Sequence, residues 1–162
     1  MAQNVITTAI LIIATVIAVV ALINGVFPAV NKASGSVMSI SDASNDRMKS
    51  EIVIICESAN AADFAMNVYV KNAGTLKIDP ARIAMTDIYF GDGTSTVRCN
   101  RPGSGVPTWE YSIMDGNEDG SWDAGETMNI LIKTDNHDFK NGRQRVTIVL
   151  YNGVSAGDTF TL

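Results

Sequence analysis

Charged side chains are missing from the start of this chain of 162 residues, in which Lys32 is the first to appear. The formal net charge of −5 therefore arises entirely from Lys32 onward. A helix of about 25 apolar residues rises roughly 38 Å, more than the ~30 Å hydrocarbon core of a bilayer. We therefore expect residues 1–31 to form a helix that spans a membrane or packs among copies of itself. A buried core helix is the alternative.

A basic segment before the apolar run and a small-x-small motif after it are also missing. Both are typical of a cleaved secretory signal. We therefore expect the helix to belong to the working protein.

Catalytic motifs are absent as well. The single histidine, His137, lies in a polar turn, and no G-x-S-x-G motif accompanies it. H-E-x-x-H, P-loop and G-x-G-x-x-G sequences are missing, so we expect no enzymatic activity. The few Lys and Arg residues are scattered through an acidic chain, which disfavours nucleic acid as a partner.

Cysteine is scarce, since Cys56 and Cys99 are the only two and form no C-x-x-C pair for zinc or redox chemistry. They fall in different predicted strands. Two buried thiols and a bridge between strands are both compatible with this placement.

Residues 32–50 follow Pro28, which is expected to kink the helix, and keep apolar or small side chains at a nearly helical spacing. This pattern predicts a helical stalk. Residues 34–45 are rich in Ser and include Gly35, so a flexible linker is the alternative.

Residues 51–162 change to a period of two, with short β-rich runs separated by Gly, Asn, Asp and Pro. The predicted strands are EIVIIC, DFAMNVYVK, ARIAMTDIYF, TSTVRC, WEYSIM, TMNILIKT, QRVTIVLYN and DTFTL. The fold class that we predict is α+β, with a long hydrophobic N-terminal helix followed by an all-β antiparallel sandwich.

An acidic stretch, D-G-N-E-D-G-S-W-D-A-G-E, occupies residues 115–126. A calcium loop takes oxygen ligands from positions 1, 3, 5, 7, 9 and 12 and has Gly at position 6. Gly120 holds the glycine position, and the ligand positions hold Asp115, Asn117, Asp119, Ser121, Asp123 and Glu126. Their carboxylates would repel one another without a cation, and an oxygen-rich set suits Ca²⁺ better than zinc. We therefore predict one Ca²⁺ site, with a solvated acidic turn as the alternative.

The segments beside this loop are not those of a calcium sensor, because no amphipathic helix precedes Asp115 and a strand is predicted after Glu126. We expect the loop to join two strands and the ion to stabilise that connection. Trp122 is expected to turn inward and pack.

The order of these parts resembles a known family. The opening I-T-T-A-I-L-I-I-A-T-V-I-A-V, the Y-V-K-N-A-G turn and the end V-T-I-V-L-Y-N-G-V-S-A-G-D-T-F-T-L are similar to the archaeal flagellin superfamily. The resemblance covers essentially the whole chain. Within the superfamily it is strongest to the archaellar protein G family of membrane-anchored accessory proteins.

This resemblance implies an N-terminus in the cytoplasm or membrane, a β-sandwich outside the cell and a static, stator-type role around the rotating filament. It also implies self-association or pairing with archaellar protein F, and contact with the cell-envelope layer. It does not imply the calcium loop, which we predict from residue spacing alone.

Archaellin, the filament subunit, is the main alternative within the same superfamily. Archaellins carry a short basic leader and are often glycosylated, whereas no Lys or Arg precedes the apolar run here and no N-x-S/T sequon is present. Both observations favour the accessory protein. The positive-inside rule points the other way, because Lys32, Arg47 and Lys49 follow the apolar run.

A membrane-tethered, calcium-dependent adhesion or sugar-binding module is the alternative from another functional class. Trp109 and Tyr111, close to the acidic loop in sequence, are its candidate binding residues. Two aromatic residues in a strand are more often part of the core.

Overall fold

A computed structural model describes residues 2–60, 64–92, 95–102, 105–114, 119–135 and 142–161. Along the chain these form α1 (Ala2–Lys49), β1 (Ile52–Asn60), β2 (Ala65–Asn72), α2 (Pro80–Ile83), β3 (Asp87–Gly91), β4 (Thr96–Cys99), β5 (Thr108–Met114), β6 (Thr127–Lys133), β7 (Arg143–Val149) and β8 (Ser155–Thr161). The predicted α+β class, a long apolar helix followed by an antiparallel sandwich, is confirmed. Residues 1–44 and 45–162 are two separate compact units.

Helix α1 continues through Pro28 and through residues 32–49, so this region is helical rather than a linker. Hydroxyl groups within the apolar part are satisfied by the helix itself: Thr7 and Thr8 donate to carbonyls one turn earlier, at 2.9 and 2.8 Å. Arg47 and Lys49 lie in the last turn, where positive charge is favourable to the helix dipole.

The β-unit consists of two four-stranded antiparallel sheets. Sheet 1 has the order β1-β2-β6-β5 and sheet 2 the order β4-β3-β7-β8. In β2 the alternation predicted from sequence is present, because Val68 and Val70 are buried while Asn67, Tyr69 and Lys71 lie on the other face.

The core fills the space between the sheets. It is formed by Ile52, Met66, Val68, Val70, Ile78, Ile83, Ile88, Phe90, Cys99, Trp109, Trp122, Met128, Ile130, Ile132, Val146, Ile148 and Leu150. Cys99 is thus buried, whereas Cys56 is exposed.

The two lateral edges of the sandwich differ. Beside β4 and β5, a parallel bridge between Asn100 and Thr108 links the sheets, and Trp109 N donates to Asn100 O at 2.9 Å. At the opposite edge β1 contacts β8.

One strand prediction was too long. Within ARIAMTDIYF the strand occupies only Asp87–Gly91, and the preceding residues Pro80–Ile83 form the short helix α2. Asp79 caps this helix by accepting a hydrogen bond from Arg82 N at 2.9 Å, and Pro80 lies at its first turn. An Asp-Pro pair is a recognisable helix start, and it outweighed the β-propensity of the following residues.

Candidate functional site

The acidic loop lies between β5 and β6, which pair as neighbours in sheet 1. It therefore joins two strands, as predicted from its flanks. Of the predicted calcium ligands, Asp115 and Asn117 lie outside the described residues, as does His137. Asp119, Ser121, Asp123 and Glu126 are described.

Two of these carboxylates converge on one ammonium group. Lys77 Nζ forms an ion pair with Asp119 Oδ2 and another with Asp123 Oδ1, the latter at 3.0 Å. The hydrogen bond from Lys77 lowers the pKa of the Asp119 carboxyl, and hydrogen bonds to Asp119 and then Asp123 raise the pKa of Lys77. A positive charge from a segment 42 residues away thus partly neutralises the loop.

The end of the loop is held by its own backbone. Asp123 N donates to Glu126 Oε2 at 2.9 Å, and Glu126 N donates to Asp123 O at 3.1 Å. Ser121 N donates to Asp119 Oδ1 at 2.8 Å, and Gly120 has a φ of 73°, a left-handed conformation that favours glycine. The Glu126 carboxylate therefore points back toward the loop.

Trp122 anchors the loop to the core, as predicted. Its side chain is fully buried, and its Nε1 donates to Glu126 O at 3.0 Å. Its backbone pairs with Ile78 through two hydrogen bonds of 2.8 and 3.1 Å. The segment 119–126 is thus attached at its middle to the chain that carries Lys77.

No group of three or more His, Cys, Asp or Glu side chains converges on a metal position within the described part of the chain. The geometry brings Asp119 and Asp123 together on Lys77, Ser121 donates its backbone N–H to Asp119, and the Glu126 carboxylate accepts from the Asp123 backbone N–H. The ion pairs of Lys77 were not predicted, because no local sequence signal links it to a loop so far along the chain.

Trp109 and Tyr111 do not form an exposed aromatic platform. Trp109 is buried and Tyr111 packs against the core. The Arg101 guanidinium covers them, at 4.3 Å from the Trp109 ring centre and 5.4 Å from that of Tyr111. Both aromatics therefore serve packing.

The last turn of α1 is docked onto the β-unit through a junction that the sequence did not indicate. Arg82 Nη1 lies 3.3 Å from Asp46 Oδ2 and donates to the Tyr151 hydroxyl at 2.9 Å. Asn152 Nδ2 donates to Ser50 Oγ at 2.7 Å. Burial, the largest cause, raises the pKa of Tyr151, so this hydroxyl stays protonated.

The rest of α1 contains the apolar run. Every described side chain from Gln3 to Ser44 is exposed. The most apolar 18-residue window of the helix has a mean hydropathy of 2.9, and none of it is buried. One helix is thus long and apolar enough to cross a membrane.

Residues 2–160 match the family model of archaeal-type flagellin. A protein of Archaeoglobus fulgidus, described only as an uncharacterized protein, is 35% identical over 164 residues that cover 99% of both chains.

Two solved structures share the fold. The archaellum periplasmic stator protein FlaG from Sulfolobus acidocaldarius is 16% identical, with a TM-score of 0.54 over 68% of this chain and 99% of that one. A chain of the FlaF and FlaG stator complex from the same organism is 18% identical, with a TM-score of 0.55 over 67% of this chain and 87% of that one.

Proposed function

The chain belongs to the archaeal-type flagellin family, and from that membership we propose that it is a membrane-anchored accessory protein of the archaellum with a static, stator-type role. The observation that carries this proposal is the family match along nearly the whole chain together with a fold shared with the stator protein FlaG. On this proposal the protein is archaellar protein G-like and non-enzymatic.

Membrane anchoring through α1 is part of the proposal. A helix whose apolar side chains are all exposed is unstable in water and needs either lipid or neighbouring helices around it. At ~1.5 Å per residue, its 48 residues extend about 72 Å, more than twice the ~30 Å of a hydrocarbon core. The apolar run would then lie in the bilayer, and the β-unit would lie outside the cell.

Partners follow from the same reasoning. A FlaF protein forms a stator complex with FlaG in Sulfolobus acidocaldarius, and a protein F of that type is the partner that we propose here. We further propose self-association and contact with the cell-envelope layer.

A filament subunit is the second candidate, because the matched family is named for flagellin and an all-apolar helix suits a bundle core equally well. The two functions differ in where the protein is found. Cells are sheared, the released filaments and the membranes are separated, and each fraction is analysed by mass spectrometry of this chain and by electron microscopy with a specific antibody. An accessory protein stays with the membranes at the filament base. Labelling repeated along the filaments would contradict the proposal and favour the subunit.

We also propose that residues 115–126 bind one Ca²⁺, with Asp119, Ser121, Asp123 and Glu126 joined by Asp115 and Asn117. The proposal is supported by the ligand spacing, by the left-handed backbone of Gly120 and by the negative charge of the loop, which Lys77 neutralises only in part. Extracellular calcium sites bind at ~10⁻⁴ to 10⁻³ M, which suits a structural role outside the cell. Calcium at ten times its Kd would stabilise the fold by about 1.4 kcal/mol.

Calorimetric titration of the full chain in detergent tests this site. Glu126→Gln is expected to weaken calcium binding most, because it removes the charge of the bidentate ligand. Lys77→Gln is expected to strengthen binding, because it removes a competing cation. Absence of a binding heat in both the wild type and Lys77→Gln would show that the loop is an ordinary acidic turn.

A further inference from the structure

The arginines beyond α1 are of two kinds. Arg82 and Arg98 form ion pairs with aspartates, and Arg101 lies over two aromatic rings. Arg143 and Arg145 form no ion pair with any carboxylate in the described part of the chain. A chain with 17 Asp and Glu against 12 Lys and Arg therefore keeps two positive charges, two residues apart on β7, without a described counter-ion.

Both side chains lie on the outer surface of sheet 2, because Gln144 and Val146, which alternate with them, are buried. Both arginines are exposed. In the register Arg145 lies opposite Gly91 on β3 and Thr159 on β8. A glycine on one side and a short hydroxyl side chain on the other leave the guanidinium group accessible.

A cavity of about 340 Å³ opens at this point of sheet 2, and it is lined by Asp92, Arg143, Gln144, Arg145 and Thr159. Asp92 Oδ1 accepts a hydrogen bond from Ser95 N at 2.8 Å. Two positive charges and one negative charge give the lining a net positive charge. The volume is larger than one inorganic oxyanion needs and lies within the ~300–1,000 Å³ that is typical of small-molecule sites.

The cavity lies at the end of the β-unit opposite the one that carries the end of α1. At the α1 end, Asn152 Nδ2 donates to Ser50 Oγ at 2.7 Å. Strand β7 runs from Arg143 at the cavity toward the turn that contains Asn152, and its seven residues extend about 23 Å. The arginines are therefore remote from the point where the chain enters the β-unit.

The acidic loop, residues 115–126, lies at the α1 end as well. Glu126 O accepts a hydrogen bond from Asn72 N at 3.0 Å, and the next residue, Ala73, donates to Glu51 O at 2.9 Å. The length of β6, about 23 Å, thus separates the loop from the arginines, which is more than the ~8 Å Debye length at physiological ionic strength. The loop of the same chain does not neutralise them.

We propose that this cavity binds an acidic sugar, a uronic or sulfated residue of a cell-envelope glycan. The proposal rests on the location of the β-unit outside the cell that is proposed above. Guanidinium groups bind carboxylate and sulfate through paired N–H donors. Alternate residues of a strand are about 7 Å apart, so Arg143 and Arg145 both reach one acidic group.

The other side chains of the cavity favour a sugar over an acidic peptide. The Asp92 carboxylate accepts hydrogen bonds from ring hydroxyls, whereas it repels a second carboxylate. The Thr159 hydroxyl both donates and accepts, as does each hydroxyl of a sugar ring. An acidic peptide offers carboxylates to the arginines but no ring hydroxyls to these two residues.

Calorimetric titration of the full chain in detergent tests the site with three probes: trigalacturonate, sulfated maltotriose and neutral maltotriose. We expect the two acidic oligosaccharides to bind and the neutral one to bind at least tenfold more weakly. Binding of the acidic probes is expected to weaken as the salt concentration rises, because exposed charges are screened.

Substitutions assign the binding to the cavity. Arg143→Gln and Arg145→Gln are each expected to weaken the affinity for the acidic probes about tenfold, because each removes charge-assisted hydrogen bonds. Thr159→Val is expected to weaken it several-fold. Lys71→Gln is the matched control, since it removes one exposed positive charge from sheet 1 and is expected to leave the affinity unchanged.

Three outcomes would overturn the proposal. One is that neither acidic oligosaccharide binds. Another is that Lys71→Gln weakens binding as much as the two arginine variants do, which would make the attraction a general effect of charge. The third is that triglutamate binds as tightly as trigalacturonate, which would make the cavity a site for acidic peptides.

Labelling of intact cells with a membrane-impermeant amine reagent tests the location separately. Lysines of the β-unit are expected to react on intact cells. Absence of labelling there, with full labelling after lysis, would contradict the location outside the cell and with it the envelope source of the sugar, even where the purified chain binds. Labelling on intact cells together with no binding by the purified chain would refute the sugar site alone.

Discussion

Glu57, which is part-buried, and Asp158, which is exposed, are two carboxyl groups at the edge of the sandwich where β1 contacts β8. Each lies opposite a fully buried residue in the register, Glu57 opposite Val68 and Asp158 opposite Val146. Glu57 Oε1 is buried and accepts no hydrogen bond from the described residues. A hydrogen bond between the two carboxyl groups forms only when one of them is protonated. Burial first, and then the charge and hydrogen bonding of Asp158, raise the pKa of Glu57. Charged side chains on edge strands also disfavour pairing between copies along that edge.

Glu57→Gln is expected to stabilise the β-unit at neutral pH. Because the folded pKa of Glu57 is raised, its contribution to the free energy of unfolding is complete below the unfolded value near 4.5 and is lost as the pH rises through the folded pKa. Like charges on paired strands cost about 0.2–1 kcal/mol, and a similar cost for this pair between the two sheets would raise the melting temperature of the variant by about 1–4 °C at pH 7 and leave it unchanged at pH 4. Fluorescence of Trp109 and Trp122, both in the core of the β-unit, reports the melting of the full chain in detergent.

Glu110→Gln provides the matched control for this measurement. Glu110 lies in the same sheet but on its outer surface, 3.9 Å from Lys133, so its neutralisation relieves no repulsion. A melting temperature of Glu57→Gln that depends on pH as steeply as that of the wild type would show that ionisation of Glu57 does not affect the stability of the fold.

At the scale of elements, the end of α1 packs its backbone directly against the turn after β2. Lys49 O accepts from Thr75 N and Leu76 N at 2.8 and 3.2 Å, and Glu51 O accepts from Gly74 N at 3.0 Å. A Cβ on Gly74 would lie 2.3 Å from Lys49 O. The glycine therefore allows the turn after β2 to lie directly against the helix end.

Gly74→Ala is expected to destabilise the β-unit by about 1–3 kcal/mol, because the added carbon meets backbone atoms that cannot rotate away. Chemical denaturation followed by tryptophan fluorescence measures the change. Gly35→Ala is the control: nothing lies within 4 Å of its added carbon, and alanine is the better helix former there. Equal stabilities of Gly74→Ala and wild type would mean that the turn shifts at no cost.

Elements with a strong local pattern were predictable, whereas contacts between distant segments were not. The helix and the eight strands follow from a charge-free run and from alternation as in β2, and Trp122 packs inward as its apolar ring suggested. Helix α2 had a usable signal in Asp79 and Pro80. Lys77 meets the acidic loop, and Glu57 meets Asp158, only because strand order brings together segments far apart in sequence, which no local pattern encodes.

At the scale of the whole molecule, the chain divides into a helix that needs an apolar environment and a β-unit with its own core. Among the described residues, every buried member of the hydrophobic core lies between Ile52 and Leu150, and none comes from the apolar part of α1. The compact unit that contains the core begins at Asn45. The last turn of α1, with Asp46 at the Arg82 and Tyr151 junction, therefore belongs with the β-unit.

Deletion of residues 1–35 is expected to leave a soluble, folded β-unit, because the deletion ends before the junction and removes no core residue. About 125 residues with a continuous core exceed the size at which single domains fold alone. The truncated protein should show a β-rich circular dichroism spectrum and melt within a few degrees of the full chain in detergent, as judged by the two buried tryptophans. Deletion of residues 1–50 removes Asp46 and Ser50 as well, and it should melt lower, because Arg82 and Asn152 then lose their partners. Recovery of only aggregated material from the shorter deletion would mean that the apolar helix is needed for folding and not for anchoring alone.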